Sequence, residues 1–273
     1  MNLPEFNMPG MVVSVELANE LRRLEDERGT GVLHAGDGAF HLVDGLIACA
    51  ECRRTTRLDR LMAEAGVASV EVWRQAESAA TAPEAAGPRL EALALLSVFD
   101  AAYFLLASRT VPEFQPAPPH WLASICRVAP RALVDECARR GDPEVGRWPA
   151  SLVDRAPVVP ARRVRRQRVV LTAGQAEVLA AADTGRTVSG IARDLGRTTY
   201  GCLVAVRDLT AAGLIEQPVP VVMTGPLAAA DVESTPRLRR RMRPTVSVPI
   251  PDRWEPVDRD VLVRLRAALE ELT

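Results

Sequence analysis

The sequence predicts an α+β chain: an N-terminal helix and an antiparallel β-meander with accompanying helices, then a helix-turn-helix and a C-terminal helix. Three observations carry this. Between Thr187 and Glu216, apolar positions recur at helical spacing on both sides of a short turn containing Gly196. Between Gly31 and Ala50 the period drops to two, around the turn dipeptides Asp37-Gly38 and Asp44-Gly45. The composition, 48% hydrophobic and 25% charged over 273 residues, is that of a globular chain long enough for two domains.

The elements follow in order. Residues 15–28 place Leu17, Leu21 and Leu24 on one helical face. Three strands are expected at Gly31–Ala35, Phe40–Val43 and Leu46–Ala50. Helices follow at about Thr56–Ala65 and Ser69–Ala79, with Ser69 as N-cap of the second. After an Ala/Pro/Gly linker at Thr81–Pro88, Leu90–Ala107 is too apolar to face water on most sides. It is expected as the central core helix of the first half or as a dimer seam, with Leu93, Leu96, Phe99, Tyr103 and Leu106 available for pairing. Helical patterns at Trp121–Cys126 and Ala129–Arg140 close this half. Thr172 and Gln175 have the spacing of a capping box and open a helix to about Ala182. Val257–Leu272 forms a final amphipathic helix that docks or dimerises. The expected division is a regulatory or oligomerisation domain at 11–148, an Arg/Pro linker at 149–168, a winged helix at 169–222, a flexible basic linker at 223–250 and the C-terminal helix at 251–273.

The stretch TVSGIARDLGRTTYGCLVAVRDLTAAGLIE resembles the second half of a winged helix-turn-helix. Val188, Ile191, Ala192 and Leu195 make one helix; Cys202, Leu203, Val206 and Leu209 make the inner face of the next, ended by Gly213. Leu214 and Ile215 are expected to return to the core as a short strand. Gln217-Pro218-Val219-Pro220 then puts two prolines where wing strands should pair, and proline cannot donate to a ladder. The inner face leaves Thr198, Thr199, Tyr200, Gly201, Val204, Ala205, Arg207 and Asp208 outward on the recognition helix. Arg197 and Arg207 are the long donors available for base edges, and Thr198, Thr199 and Tyr200 suit phosphates.

Charge supports a polyanionic partner for the second half. Residues 155–250 carry 15 arginines against 7 acids, a balance of +8, whereas residues 1–150 carry 15 against 21, a balance of −6. Arg162, Arg163, Arg165, Arg166 and Arg168 precede the helix-turn-helix, and Arg237, Arg239, Arg240, Arg241 and Arg243 follow it. As arms they would track phosphates. The chain has no lysine, so arginine also does lysine's ordinary work on solvated surfaces, and these clusters count for correspondingly less.

Two family resemblances attach to these residues. LANELRRLEDER followed by GTGVLHAGDGAFHLVDGLIACAEC resembles the N-terminal regulatory domain of PatA-type response regulators, as do the later helices in LDRLMAEAGVASVEVWRQA and near 90–106. The C-terminal segment is similar to MarR-like winged helices and to the winged-helix component of actinobacterial conservon operons, which also encode a small GTPase. Together they imply a MarR-like actinobacterial regulator, and they carry no ligand or catalytic residue onto this chain.

Other chemistries lack support. Cys49-x-x-Cys52 has no second ligand pair to make a zinc site, so no metal is expected. Cys126, Cys137 and Cys202 are expected as small apolar fillers. His34 and His41 are expected to pair across adjacent strands. No Ser-His-Asp arrangement, phosphate-binding glycine loop or metalloprotease motif is present, so neither an enzyme nor a cofactor is expected. MNLPEFNMPG has neither the n-region nor the h-region of a leader, and Ala92–Ala107 is too short to cross a bilayer. Five unevenly spaced cysteines fit a reduced, cytoplasmic protein. The leading expectation is a homodimeric DNA-binding transcription regulator whose first half senses a partner or dimerises. The alternative is a non-enzymatic signalling adaptor whose winged helix binds protein, in a small-GTPase or response-regulator system.

Overall fold

The computed structural model describes residues 14–79, 87–162 and 169–218. Helix α1 (Val15–Asp26) starts where the Ser14 hydroxyl accepts from the Leu17 N–H, and it buries Leu17, Ala18, Leu21 and Leu24. Strands β1 (Gly31–Ala35), β2 (Gly38–Val43) and β3 (Leu46–Cys52) form the expected meander. A fourth strand, β4 (Glu113–Pro116), pairs antiparallel with β1, giving the order β3-β2-β1-β4. Prolines at both ends hid this strand from the sequence pattern, but an edge strand tolerates them.

The two hairpins differ from each other. Asp44 and Gly45 both take positive φ, 52° and 80°, as a two-residue type I′ turn requires. The β1–β2 turn lies one residue earlier than expected, at Gly36-Asp37, because Gly36 supplies the positive φ of 59°. Gly38 instead sits in β2 opposite Cys52, where a Cβ would come within 1.9 Å of the Glu51 carbonyl oxygen.

Helices α2 (Leu58–Glu64) and α3 (Val70–Ala79) follow β3, and the Ser69 hydroxyl accepts from Val72 N–H as expected of a cap. Helix α4 (Pro88–Leu105) begins with proline at a first-turn position and packs across β3, with further contacts to α2, α5 and α8. Leu90, Val98, Tyr103, Phe104, Leu105 and Leu106 are buried, which makes α4 the core helix. Of the five residues expected to be available for a dimer seam, only Leu96 is exposed, at 49%. A 3-10 turn at Trp121–Ser124 and helix α5 (Pro130–Arg140) complete this half.

Residues 141–162, part of which the sequence suggested as a linker, are packed rather than extended into solvent. Trp148, Ala150, Val153 and Val158 are fully buried, and Pro157 and Pro160 bridge to Thr187 and Ile215. Among the described residues the last three helices are α6 (Ala173–Ala181), α7 (Val188–Asp194) and α8 (Thr199–Ala211). The capping box forms: Thr172 accepts from Gln175 N–H, and the Gln175 side chain accepts from Thr172 N–H. Leu214 and Ile215 return through the single bridge at Pro160. One cluster of buried side chains runs from Leu17 to Ile215, so both halves share a core. The N-terminal decapeptide, the arginines from 163 to 168 and from 237 to 243, and the expected C-terminal helix lie outside the described residues.

The α7–α8 turn offers a stability test. Gly196 has φ +57°, and an added Cβ would lie 2.2 Å from the Glu64 Cβ. Gly66, with φ +65°, has nothing within 4 Å. We expect Gly196→Ala to cost about 2–4 kcal/mol in urea denaturation, against about 1 kcal/mol for Gly66→Ala. Equal costs would mean that Glu64 is not fixed against this turn.

Candidate functional site

The first turn of α8 is the most elaborate polar site among the described residues. A helix leaves four N–H groups without intrahelical partners at its start. The Thr198 hydroxyl accepts from Gly201 N–H. Asp100, in the middle of α4, takes two more: its carboxylate oxygens accept from Thr199 N–H at 2.8 Å and Tyr200 N–H at 2.7 Å. Asp100 is 1% exposed. Burial pushes its carboxyl up to about 6, against the pull of those two N–H groups and of Arg140.

Side chains around this contact lock it further. Thr199 donates its hydroxyl to the Arg54 carbonyl at 3.1 Å, and Thr56 donates its own to the Arg197 carbonyl at 2.8 Å. The Tyr200 ring meets Tyr103 at 4.7 Å, and the Arg140 guanidinium lies over it at 4.5 Å. Arg207 donates to the Tyr103 hydroxyl, to the Trp148 carbonyl and to the Pro143 carbonyl, the last at 2.8 Å. Trp148 donates its indole N–H to the Thr210 hydroxyl at 2.9 Å.

The residues expected to meet DNA therefore have different fates. Thr199 is fully buried, and Tyr200 and Arg207 are half-buried in contacts with the first half of the chain. Ala205, expected to face outward, is 9% exposed. The expectation placed these outward because local periodicity cannot register a second packing face supplied by α4 and residues 143–148. Arg197 stays exposed but pairs with Glu177 at 2.6 Å. Thr198 is the N-cap, with its hydroxyl engaged as described. Arg162 is exposed, whereas Arg163, Arg165 and Arg166 lie outside the described residues. The open side of α8 carries Gly201, Val204 and Asp208, and Asp208 accepts from the Gln175 side-chain amide at 3.1 Å. That surface has little to offer a base edge.

Sequence reasoning missed Asp100 as a functional residue, although a signal was present. Asp100 is the only acid of this 18-residue apolar helix beyond Glu91 in its first turn, and an acid so placed is seldom buried without a partner.

The cysteines and histidines settle elsewhere. All five cysteines are free and buried. Burial pushes the Cys52 thiol up to about 12 and Cys49 higher still, so neither is a ready thiolate. Among the described residues, no group of three or more His, Cys, Asp or Glu is placed to hold a metal ion. His34 and His41 do not face each other: His34 is opposite Ala39, and His41 is opposite Val32 and Cys49. The His41 ring instead meets His120, 4.6 Å between centroids. No helix among the described residues is long and apolar enough to cross a membrane. Compared with protein-family models, curated proteins and solved structures, the chain matches none.

Proposed function

We propose that this protein is a non-enzymatic signalling adaptor. In this reading α6–α8 form a winged helix-turn-helix, without a paired wing among the described residues, that scaffolds protein contacts rather than reading bases. One observation carries it. The Asp100 carboxylate holds the two N–H groups at the start of α8 that a DNA phosphate would otherwise approach. An acid in that position repels a phosphate as well as replacing it. Partner recognition then falls to surfaces other than the docked face of α8, in keeping with the resemblance to components of GTPase and response-regulator systems.

Transcription regulation is the second reading, favoured by the +8 balance of residues 155–250. The two part on sequence preference. Fluorescence anisotropy of the full chain with a random duplex pool and its selected sequences distinguishes them. Under the adaptor reading, any duplex binding comes from the arginine arms, shows no sequence preference and is unchanged by Arg197→Ala. Replacing Arg162, Arg163, Arg165 and Arg166 with Ala then flattens the dependence of log K on log salt by about 0.9 per lost contact. A selected sequence bound tightly by the wild type and lost in Arg197→Ala overturns the adaptor reading.

A further inference from the structure

A cavity of about 640 Å³ lies among β3, α2, α3 and the 3-10 turn at Trp121, and Thr56 forms part of its wall. Its size falls within the range of small-molecule sites, roughly 300–1,000 Å³. Its walls concentrate residue types that are scarce in the chain. Only 4% of the residues are Phe, Trp or Tyr and only three are histidine. Yet a run of three rings borders this space, Trp73 against Trp121 at 4.8 Å and Trp121 stacked on His120 at 5.9 Å, and His120 in turn meets His41, outside the wall, at 4.6 Å.

Polar atoms in the wall have no protein partner. Trp73 is 5% exposed and Ser97 is 7% exposed, and both line the cavity. Neither the Trp73 indole N–H nor the Ser97 hydroxyl makes a hydrogen bond among the described residues, and neither is sealed from solvent. Polar groups on such buried side chains are ordinarily bonded to something. His120 adds a third group. Its Nδ1 accepts from Leu122 N–H at 3.2 Å, and burial pulls its pKa down to about 4. The ring is therefore neutral near pH 7, with its proton on Nε2 and available to an acceptor.

Charge narrows the ligand. Of the three arginines in the wall, Arg53 pairs with Asp154 and Arg57 with Asp59, while Arg193 donates to the Ser189 carbonyl and has no ion pair among the described residues. Asp37 pairs with Arg54. Glu51 and Glu77 line the cavity without an ion pair among the described residues, so two unpaired acids outweigh the one unpaired arginine and the balance opposes an anion. We propose that this cavity binds an uncharged, planar heteroaromatic molecule of the nucleobase type, stacked on Trp121 and His120 with its acceptor edge toward Trp73, Ser97 and His120. An aromatic ring uses the indole and imidazole faces, and ring nitrogens or carbonyls match the three donors.

The test uses the full chain with adenosine and uridine as uncharged probes and adenosine monophosphate as the charged one. Tryptophan fluorescence and thermal shift are the readouts. At least one nucleoside should bind saturably at or below about 1 mM, and the phosphorylated probe should bind about fivefold or more weakly. Trp121→Leu should abolish binding. Ser97→Ala, a small change on a helix that should fold normally, should weaken it about fivefold. No saturable response to either nucleoside, or wild-type affinity in Ser97→Ala, overturns the proposal.

Discussion

Asp100→Ala is expected to cost about 2–4 kcal/mol at pH 7, measured by urea denaturation. The substitution leaves the Thr199 and Tyr200 N–H groups buried without acceptors, at about 1–3 kcal/mol each, and part of that is offset by removing a buried charge. Acidity should change the cost in a defined direction. Folding raises the carboxyl from 3.8 to about 6, so the folded chain holds this proton more tightly than the unfolded one. The stability that follows is fully present below about pH 4 and is lost as the pH rises through about 6. The gap between wild type and Asp100→Ala should therefore widen by up to about 3 kcal/mol on going from pH 7 to pH 4. A gap that stays constant, or that narrows in acid, would show that the folded carboxyl is not raised.

Arg207→Ala is expected to cost about 3 kcal/mol, because one guanidinium satisfies two carbonyls and a hydroxyl from three separate places in the chain. Lysine should not restore it. An ammonium is a compact charge on a flexible stem and cannot reproduce the planar fork that spans Pro143, Trp148 and Tyr103. Arg207→Lys should thus remain at least about 1.5 kcal/mol below wild type. Both variants should expose residues 143–148 to faster hydrogen exchange. Wild-type stability in Arg207→Lys would sink the assignment of Arg207 as a fixed clamp.

Local chemistry was legible in the sequence and distant packing was not. The Thr172–Gln175 capping box, the Asp44-Gly45 turn and the Ser69 cap formed as the sequence implied, because each depends on neighbours three residues away or fewer. The β1–β2 turn slipped by one because two glycines flank Asp37, and only the close approach of Glu51 decides which of them lies in the strand. β4 escaped notice because its signal is a pairing partner about 80 residues away, not a pattern of its own. The same holds at the candidate site. The inner face of α8 is buried as its spacing implied, but Thr199, Tyr200 and Arg207 are not outward as expected, because α4 and residues 143–148 supply a second face that no local period encodes. The ring run at the cavity joins position 73 to 120 and 121, and no spacing rule links them.

The unbroken set of buried side chains from Leu17 to Ile215 bears on how such a chain can evolve. Recombination trades parts freely when each part keeps its own interior. Here an exchange between residues 150 and 170 would strip α4 of its acidic partnership with α8 and leave the Trp148 indole facing water. The first half and the last three helices are thus bound to a common inheritance. A substitution on one side must be answered on the other, and the Asp100 and Thr199–Tyr200 positions are where that co-adaptation should be strictest.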